Sequence, residues 1–235
     1  MQEKPLKTIA YIHTDFSQKF GLPRQSGLID ELTGYIEFEK GYRNPEAVRG
    51  LDGYDYIWLL WGFDVASDEE FKATVRPPRL GGNERMGVFA TRSPFRPNHI
   101  GLSSVKLTGI EYTKYKGPLL RVSGIDMKDS TPIYDIKPYL SYTDSHEGAK
   151  SGFTANLKSS ELRVEFPEEL LNRIPKDKRS GAIAVLKGDI RPSYHNKREI
   201  EKIYGLSYAG HNIRFRVDKD RLIVIDVNDQ VLAGE

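Results

Sequence analysis

The segment from Thr91 to Ser103 (T-R-S-P-F-R-P-N-H-I-G-L-S) combines residue types that suit ligand binding. Pro94 and Pro97 fix φ and remove two backbone donors, so we expect a stiff loop. Arg92 and Arg96 carry planar guanidinium groups that can bind a carboxylate or a phosphate through paired hydrogen bonds. The sequence therefore predicts an anion-binding loop, with a purely structural turn as the alternative.

Two further segments have the composition of polar turns. Asp129-Ser130-Thr131-Pro132 stands ahead of Tyr134 to Tyr139, and Asp, Ser or Thr before Pro form turns whose side chains bond nearby backbone amides. Pro23 to Gly27 (P-R-Q-S-G) is another stiff, polar turn. Each is typical of an ordinary turn, and both gain functional meaning only together with Thr91 to Ser103.

A cluster of basic residues, here called the basic cluster, extends from Arg173 to Arg198. It holds eight basic residues against two acidic ones, although the net charge of the whole chain is only +2. Such a cluster either contacts the phosphates of a nucleic acid or forms a solvated face. The candidate phosphate contacts are Lys176, Lys178, Arg179, Arg191, Lys197 and Arg198.

The overall composition excludes several classes of protein. With 235 residues, 38% hydrophobic and 29% charged, the chain can bury a substantial core and is not largely disordered. The absence of Cys excludes a thiol nucleophile, disulfides and Cys-ligated zinc. We predict no metal site. We also predict no membrane partner and a cytoplasmic location, because the N-terminus lacks a signal peptide and no apolar run could span a bilayer.

Mainly β-strands must hold these loops in place. Runs rich in β-branched and aromatic residues predict strands at Ile9 to Thr14, Tyr35 to Glu39, Tyr54 to Leu60, Val88 to Thr91, Ser104 to Ile110 and Leu119 to Ile125. The continuous apolar run from Tyr56 to Trp61 predicts a strand buried on both faces, and Trp58 and Trp61 are interpreted as core residues. Such strands could close into a barrel.

Helices are expected to be short in this region, at Pro45 to Val48 and at Asp68 to Thr74. No G-x-G-x-x-G follows a first strand, which argues against a doubly wound parallel sheet.

A polar stretch of small residues between Ser141 and Ser160 predicts a domain boundary near residue 157. We therefore predict a β-barrel domain at 1–157 and a small α+β domain at 158–235. The second domain is expected to contain a strand at Leu162 to Phe166, helices at Pro167 to Ile174 and Ser180 to Leu186, and a hairpin of His211 to Val217 and Leu222 to Val227 that turns at Asp218 to Asp220.

Taken together, Pro23 to Gly27, Thr91 to Ser103 and Asp129 to Tyr139 resemble the TsaA-like tRNA methyltransferase family, also called TrmO. Arg191 to His195 and Tyr204 to Arg214 are similar to the tail domain of its longer bacterial members. The resemblance implies a small closed β-barrel that binds S-adenosylmethionine, and a homodimer that acts on the anticodon stem-loop of tRNA. The implied reaction is methylation of N6 of N6-threonylcarbamoyladenosine at position 37 of a threonine tRNA.

By matching positions, the resemblance also implies a cofactor site. Its residues would be Gln25, Ser26, Gly27, Phe63, Asp64, Arg92, Leu102, Asp129, Ser130, Thr131 and Pro132. Two positions depart from the family pattern, since Asp64 stands where relatives commonly carry His and His99 stands where Pro is usual.

The implied reaction suggests roles for Asp129, for Arg92 or Arg96, and for Tyr139. The acceptor nitrogen must lose a proton, so Asp129 is the first candidate for the base, with binding of the cofactor ribose as its alternative. Arg92 or Arg96 would pair with the threonyl carboxylate. Tyr139 would stack on a base or on adenine, or else belong to the core.

Two other functions remain open at this point. One is a non-catalytic RNA-binding protein that senses S-adenosylmethionine. The other is a methyltransferase of the same fold that acts on a different substrate.

Overall fold

The computed structural model describes residues 5–64, 71–77, 80, 84–155, 161–191 and 202–230. The strands of this part are β1 (Ala10–Thr14), β2 (Thr33–Phe38), β3 (Tyr56–Gly62), β4 (Thr74–Val75), β5 (Met86–Gly87), β6 (Ile100–Thr113), β7 (Gly117–Ser123), β8 (Thr131–Pro138), β9 (Arg163–Glu165), β10 (Tyr204–Tyr208), β11 (His211–Asp218) and β12 (Arg221–Asp229). Its α-helices are α1 (Ser141–Asp144), α2 (Glu168–Leu171) and α3 (Arg179–Lys187). In the described part, no helix has the length and apolar character needed to cross a membrane.

Six strands form a closed barrel in the order β1-β2-β7-β6-β3-β8, which confirms the predicted mainly-β fold. Its interior is filled by fully buried aliphatic side chains such as Ile12, Ile36, Ile57, Leu120 and Ile133. Burying each of them stabilises the fold by about 1.5–3 kcal/mol relative to exposure. Closure also leaves no unpaired strand edge, so the loops at the barrel ends are carried by a rigid frame.

The prediction that Tyr56 to Trp61 is buried on both faces is wrong. Ile57 and Leu59 are fully buried inside the barrel, whereas Tyr56 is 40% exposed outside it and Trp58 is only partly buried. A barrel has a single packed interior, so alternate side chains of each strand must point outward.

Three local predictions differ from the structure. Val88 to Ala90 forms a 3-10 helix and not a strand. The helix predicted from Asp68 begins outside the described residues, and its expected end, Thr74, is the first residue of β4. Thr131 and Pro132 are more than a turn, since they begin β8 and pair with β1.

The C-terminal residues form a second sheet in the order β10-β11-β12-β9, in which β9 is parallel to β12. The predicted hairpin is confirmed as β11 and β12, and Lys219 adopts a positive φ of 56° in the turn between them. Helices α2 and α3 lie within or close to the predicted segments. The predicted boundary near residue 157 lies outside the described residues.

The second sheet packs directly against the barrel. The ring of Phe16, which follows β1, meets the ring of Tyr208 edge-on with centroids 5.2 Å apart. Gly181 of α3 lies under Tyr208, and a Cβ there would come within 2.3 Å of the tyrosine hydroxyl. These contacts join the two sheets through one continuous hydrophobic core.

Candidate functional site

A cleft of about 810 Å³ opens at one end of the barrel, within the size range of small-molecule sites. It is bordered by the turn at 22–25, the loop at 91–103 and the connection between β7 and β8. Seven of the predicted site residues line it, namely Gln25, Phe63, Asp64, Arg92, Arg96, Leu102 and Thr131. Barrel closure thus brings together residues that are up to 106 positions apart in the chain.

The turn that carries Gln25 is held in place by backbone contacts. The amide of Gly27 donates to the Gly124 carbonyl at 2.8 Å, and both glycines have positive φ. A Cβ on Gly124 would lie 3.3 Å from the Gly27 backbone, so the close approach favours glycine there. Ser26 and Gly27 do not line the cleft themselves but position Gln25, which does.

Arg92 and Arg96 reach the cleft with different partners. Arg92 is exposed, and its guanidinium donates to the side-chain oxygen of Gln25. Arg96 is half-buried, donates to the Thr91 carbonyl at 2.8 Å and lies over the Phe89 ring. A guanidinium has five N–H donors, so each arginine retains the capacity to bind an anion.

The carboxylate of Asp129 does not line the cleft. Its Oδ1 accepts the Thr14 amide at 3.0 Å and lies 3.3 Å from Nδ1 of His13, while Oδ2 accepts the Ser130 hydroxyl at 2.9 Å. These contacts hold the connection between β7 and β8 against β1. Asp129 as the base therefore stays a prediction, and so do Ser130 and Pro132 as cofactor contacts, because neither lines the cleft.

Tyr139 also lies outside the cleft lining. Its ring contacts Trp58 at 5.7 Å and Tyr56 at 6.2 Å on the outside of the barrel. His99 adopts a φ of 48°, and its Nδ1 lies 2.7 Å from the Pro94 carbonyl, which is a contact within its own loop.

Among the described residues, two carboxylates line the cleft, and their surroundings differ. Asp64 is at the rim, where a hydrogen bond and the charge of Lys128, with a further contribution from Lys19, lower the pKa of its carboxyl. Asp126 lies deeper, where burial raises the pKa of its carboxyl, opposed by hydrogen bonds from Ser103 and the Ser26 amide. The charge of Arg92 acts in the same direction as those bonds.

Asp126 was missed at the level of sequence. The signal that could have found it is its place three residues after the buried end of β7 and three residues ahead of Asp129. In the part of the chain that the structure describes, no group of three carboxylate, imidazole or thiol side chains is arranged to hold a metal ion.

Apolar side chains cover the rest of the cleft. The rings of Trp61 and Phe63 pack at 4.3 Å, and Leu102 is 53% exposed to the space beside them. Trp61 crosses Gly101, where a Cβ would lie within 2.3 Å of the indole ring. The interpretation of Trp61 as a core residue is correct, yet both Trp61 and Trp58 also line the cleft.

Two predicted phosphate contacts of the basic cluster are engaged in ion pairs. Lys178 pairs with Asp15 at 2.7 Å, and both side chains are at most a quarter exposed. Arg191 pairs with Asp189 at 2.7 Å, with side-chain exposures of 10% and 9%. The hydrogen bond from Arg191 to Asp189 raises the pKa of the guanidinium.

The other candidate phosphate contacts differ in exposure. Arg179 is half-buried and donates to the Ile174 carbonyl at 2.9 Å. Lys176 is exposed. Lys197 and Arg198 lie outside the described residues.

Two family descriptions match this chain. "tRNA-methyltransferase O N-terminal domain" matches residues 11–145, which contain the barrel and the cleft. "TrmO C-terminal domain" matches residues 159–230, which contain the second sheet.

Individual relatives are similar along almost the whole chain. "tRNA (adenine(37)-N6)-methyltransferase" of Escherichia coli K12 is 36% identical over 223 residues, covering 92% of this chain and 94% of the relative. "Putative S-adenosylmethionine-dependent methyltransferase RcsF" of Pseudomonas aeruginosa is 36% identical over 227 residues, covering 93% and 95%. The crystal structure of TrmO from P. aeruginosa matches with a TM-score of 0.78 at 29% identity, covering 98% of this chain and 99% of that one.

Proposed function

The chain belongs to the TrmO family, and we infer that it is an S-adenosylmethionine-dependent methyltransferase that modifies N6 of adenine 37 in tRNA. The observation that carries this inference is the convergence of three separate family segments, represented by Gln25, Arg92 and Thr131, on one cleft. The family predicted from the sequence is thereby confirmed.

The cleft fits S-adenosylmethionine, which supplies an electrophilic methyl group on a sulfonium. Trp61, Phe63 and Leu102 offer apolar surface for the adenosine part, and the exposed fraction of Leu102 is the kind of surface that a ligand covers. Arg92, held by Gln25, is suited to pair with the methionine carboxylate. The other predicted contacts beside the cleft, Ser26, Gly27, Asp129, Ser130 and Pro132, are proposed to keep these walls in register.

The acceptor is proposed to be N6-threonylcarbamoyladenosine at position 37 of a threonine tRNA. This nucleoside carries a carboxylate, and burying that anion requires a cationic partner. Arg96 lines the cleft and is oriented by the Thr91 carbonyl, so we assign the threonyl carboxylate to it. An Arg96→Lys protein should lose preference for the threonylcarbamoylated tRNA over unmodified tRNA, because lysine lacks the planar pair of donors.

The tRNA is expected to contact more of the protein than the cleft. Among the described candidate phosphate contacts, the exposed Lys176 is best suited to bind a phosphate of the anticodon stem-loop, and it belongs to the C-terminal unit. We therefore propose that this unit, to which we assign residues 158–235, helps to bind the tRNA.

We further propose that the protein acts as a homodimer in the cytoplasm. Phe71 and Phe89 are 49% and 71% exposed, and their rings stack 6.2 Å apart beside the loop that carries Arg92. We propose that the second protomer covers this exposed aromatic pair. Light scattering of the wild-type and Phe89→Ser proteins tests the dimer. Fractionation of cells that produce the protein tests the location.

The decisive experiment incubates the protein with labelled S-adenosylmethionine and tRNA from cells that lack this gene. Nucleoside mass spectrometry should then show a methyl group on N6-threonylcarbamoyladenosine. A matched control uses tRNA from cells unable to make the threonylcarbamoyl group, on which we expect no product. Binding of the cofactor without transfer to any tRNA would instead favour a sensor, and transfer to a different nucleoside would favour another substrate.

A further inference from the structure

Asp126 differs from Asp64, the other carboxylate of the described cleft lining, in how it is held. Asp64 is 62% exposed at the rim and its Oδ2 lies 2.7 Å from Nζ of Lys128. Asp126 is partly buried behind the rim and directed by donors from two separate segments of the chain. Asp126 nevertheless lines the cleft, so it borders the space that a ligand would occupy.

A chain of hydrogen bonds orients Asp126. Nε1 of Trp61 donates to Oγ of Ser103 at 3.0 Å, and Oγ of Ser103 lies 2.8 Å from Oδ1 of Asp126. The indole N–H can only donate, so the serine oxygen accepts from Trp61 and directs its single proton to Asp126. A carboxylate has about four acceptor positions, so the Ser103 hydroxyl, the Ser26 amide and the amide of Asp126 itself leave room for a proton from a ligand.

We propose that Asp126, and not Asp129, accepts the proton that N6 of the acceptor nucleoside loses during methyl transfer. This assignment rests on the proposed function. The lone pair of N6 forms the bond to the methyl carbon, and the carbon–sulfur bond breaks with its electron pair left on sulfur as a neutral thioether. The N6–H bonding pair stays on nitrogen while its proton moves to the Asp126 carboxylate.

The surroundings of Asp126 suit a base. Burial raises the pKa of its carboxyl, which makes it a stronger base than an exposed aspartate. The Ser103 hydroxyl on β6, the Ser26 amide in the turn and the charge of Arg92 in the loop all favour its ionised form. Asp129, in contrast, is not among the residues that line the cleft and is occupied by Thr14, Ser130 and His13.

The first test replaces Asp126 by asparagine, which keeps the shape and removes the base. In single-turnover methylation with saturating tRNA, Asp126→Asn should be slower by roughly 10²- to 10⁴-fold, while its affinity for S-adenosylmethionine, measured by calorimetry, changes less than about threefold. Asp52→Asn, at an exposed position away from the cleft, is the matched control and should keep the wild-type rate. Asp129→Asn should be affected less than Asp126→Asn.

The proposal is overturned if Asp126→Asn stays within tenfold of the wild-type rate. It is also overturned if the cofactor affinity of this variant falls as much as its rate, because Asp126 would then be a cofactor ligand. If the wild-type chain methylates no tRNA at all, the proposed function itself fails and Asp126 has no N6 proton to accept. An active wild type with a normal Asp126→Asn protein would instead overturn the base assignment alone.

A second variant tests the hydrogen bond from Ser103 that orients Asp126. Its result would not change if Ser103 had only a structural role. Ser103→Ala removes a donor that lowers the pKa of Asp126, so that pKa should rise. The acidic limb of the pH–rate profile should therefore shift to higher pH, and carboxyl ¹³C resonances, with Asp126 assigned from the asparagine variant, should show the same shift without turnover. An unchanged titration of Asp126 together with an unchanged acidic limb would contradict the proposal.

Discussion

The cleft and the basic cluster both present arginine and lysine side chains, but the two regions use them differently. In the cleft, the guanidinium of Arg92 is exposed and is steadied by the neutral side chain of Gln25. In the basic cluster, Lys178 and Arg191 are largely buried in ion pairs with Asp15 and Asp189. A count of positive charges along the sequence therefore overestimates the positive charge that a ligand can reach.

The same comparison separates binding from stability. The pair of Lys178 and Asp15 joins the C-terminal unit to the residues after β1, so its charges hold the fold together. Asp126 in the cleft is a partly buried carboxylate whose ionised form is penalised by burial. The charge of Asp126 is thus expected to cost stability and serve a ligand, whereas the charge of Lys178 is expected to stabilise the fold.

Among changes to binding and stability, the largest effect is expected from removing Arg92 from the cleft. Loss of a charge-assisted hydrogen bond costs about 1.5–3 kcal/mol, so Arg92→Ala should weaken S-adenosylmethionine binding by roughly 10- to 100-fold, as measured by calorimetry. The thermal unfolding midpoint should not change. Arg121→Ala, which removes an exposed arginine from the outside of the barrel, is the control and should bind the cofactor normally.

A glycine substitution tests the shape of the cleft without touching a charge. A Cβ at Gly101 would collide with the Trp61 ring, so Gly101→Ala should displace the ring and weaken cofactor binding about tenfold, with a stability loss of about 1–3 kcal/mol. Gly109→Ala lies on the same strand, where a Cβ meets nothing within 4 Å, and serves as the control. Equal cofactor affinities for the two variants would show that Trp61 does not shape the site.

In the basic cluster, Lys178→Ala should act on stability and not on binding. Its ion pair with Asp15 is mostly screened from solvent, and we expect a loss of about 1 kcal/mol, seen as a midpoint lower by about 2–4 °C in calorimetric unfolding. Cofactor affinity should remain within twofold of wild type. Lys187→Ala, an exposed lysine at the end of α3, should unfold like the wild type.

A smaller effect is expected for the pH dependence of unfolding. The pKa of Asp126 is raised in the folded state, so the folded protein binds its proton more tightly and loses stability as pH rises from the unfolded pKa of about 3.9 through the folded one. The measured quantity is the unfolding temperature of Asp126→Asn minus that of wild type, both without ligand. This difference should be more positive near pH 7 than near pH 3. If this difference is instead more negative near pH 7 than near pH 3, the prediction is contradicted.

The smallest expected effect concerns Lys176, an exposed member of the basic cluster. Lys176→Gln should weaken tRNA binding a few-fold and reduce the salt dependence of binding by about one unit of log affinity per log salt concentration. Cofactor affinity should be unaffected. An unchanged salt slope would mean that the basic cluster contributes no phosphate contact through this residue.

Much of this protein could be predicted from local sequence. The turn residues between β11 and β12 and the patterning of α3 allowed their prediction because they depend on neighbours a few positions away. The three polar segments were recognisable for the same reason, since the Pro, Arg and Asp residues that stiffen and charge them are adjacent in the chain. They were sufficient to predict the family, the cofactor and the cleft-lining positions Gln25, Arg92 and Leu102.

Only the tertiary structure decided which carboxylate reaches the cleft and which cations remain exposed. Asp126 and Asp129 are three positions apart. The carbonyls of Phe16 and Ile12 bind the amides of Asp129 and Ser130, whereas Asp126 lies within hydrogen-bond distance of Ser103 on β6. Lys178 and Asp15, which pair with each other, are likewise 163 positions apart in the chain. Local patterns cannot specify such pairs, because the two partners come together only when the strands pack around the core.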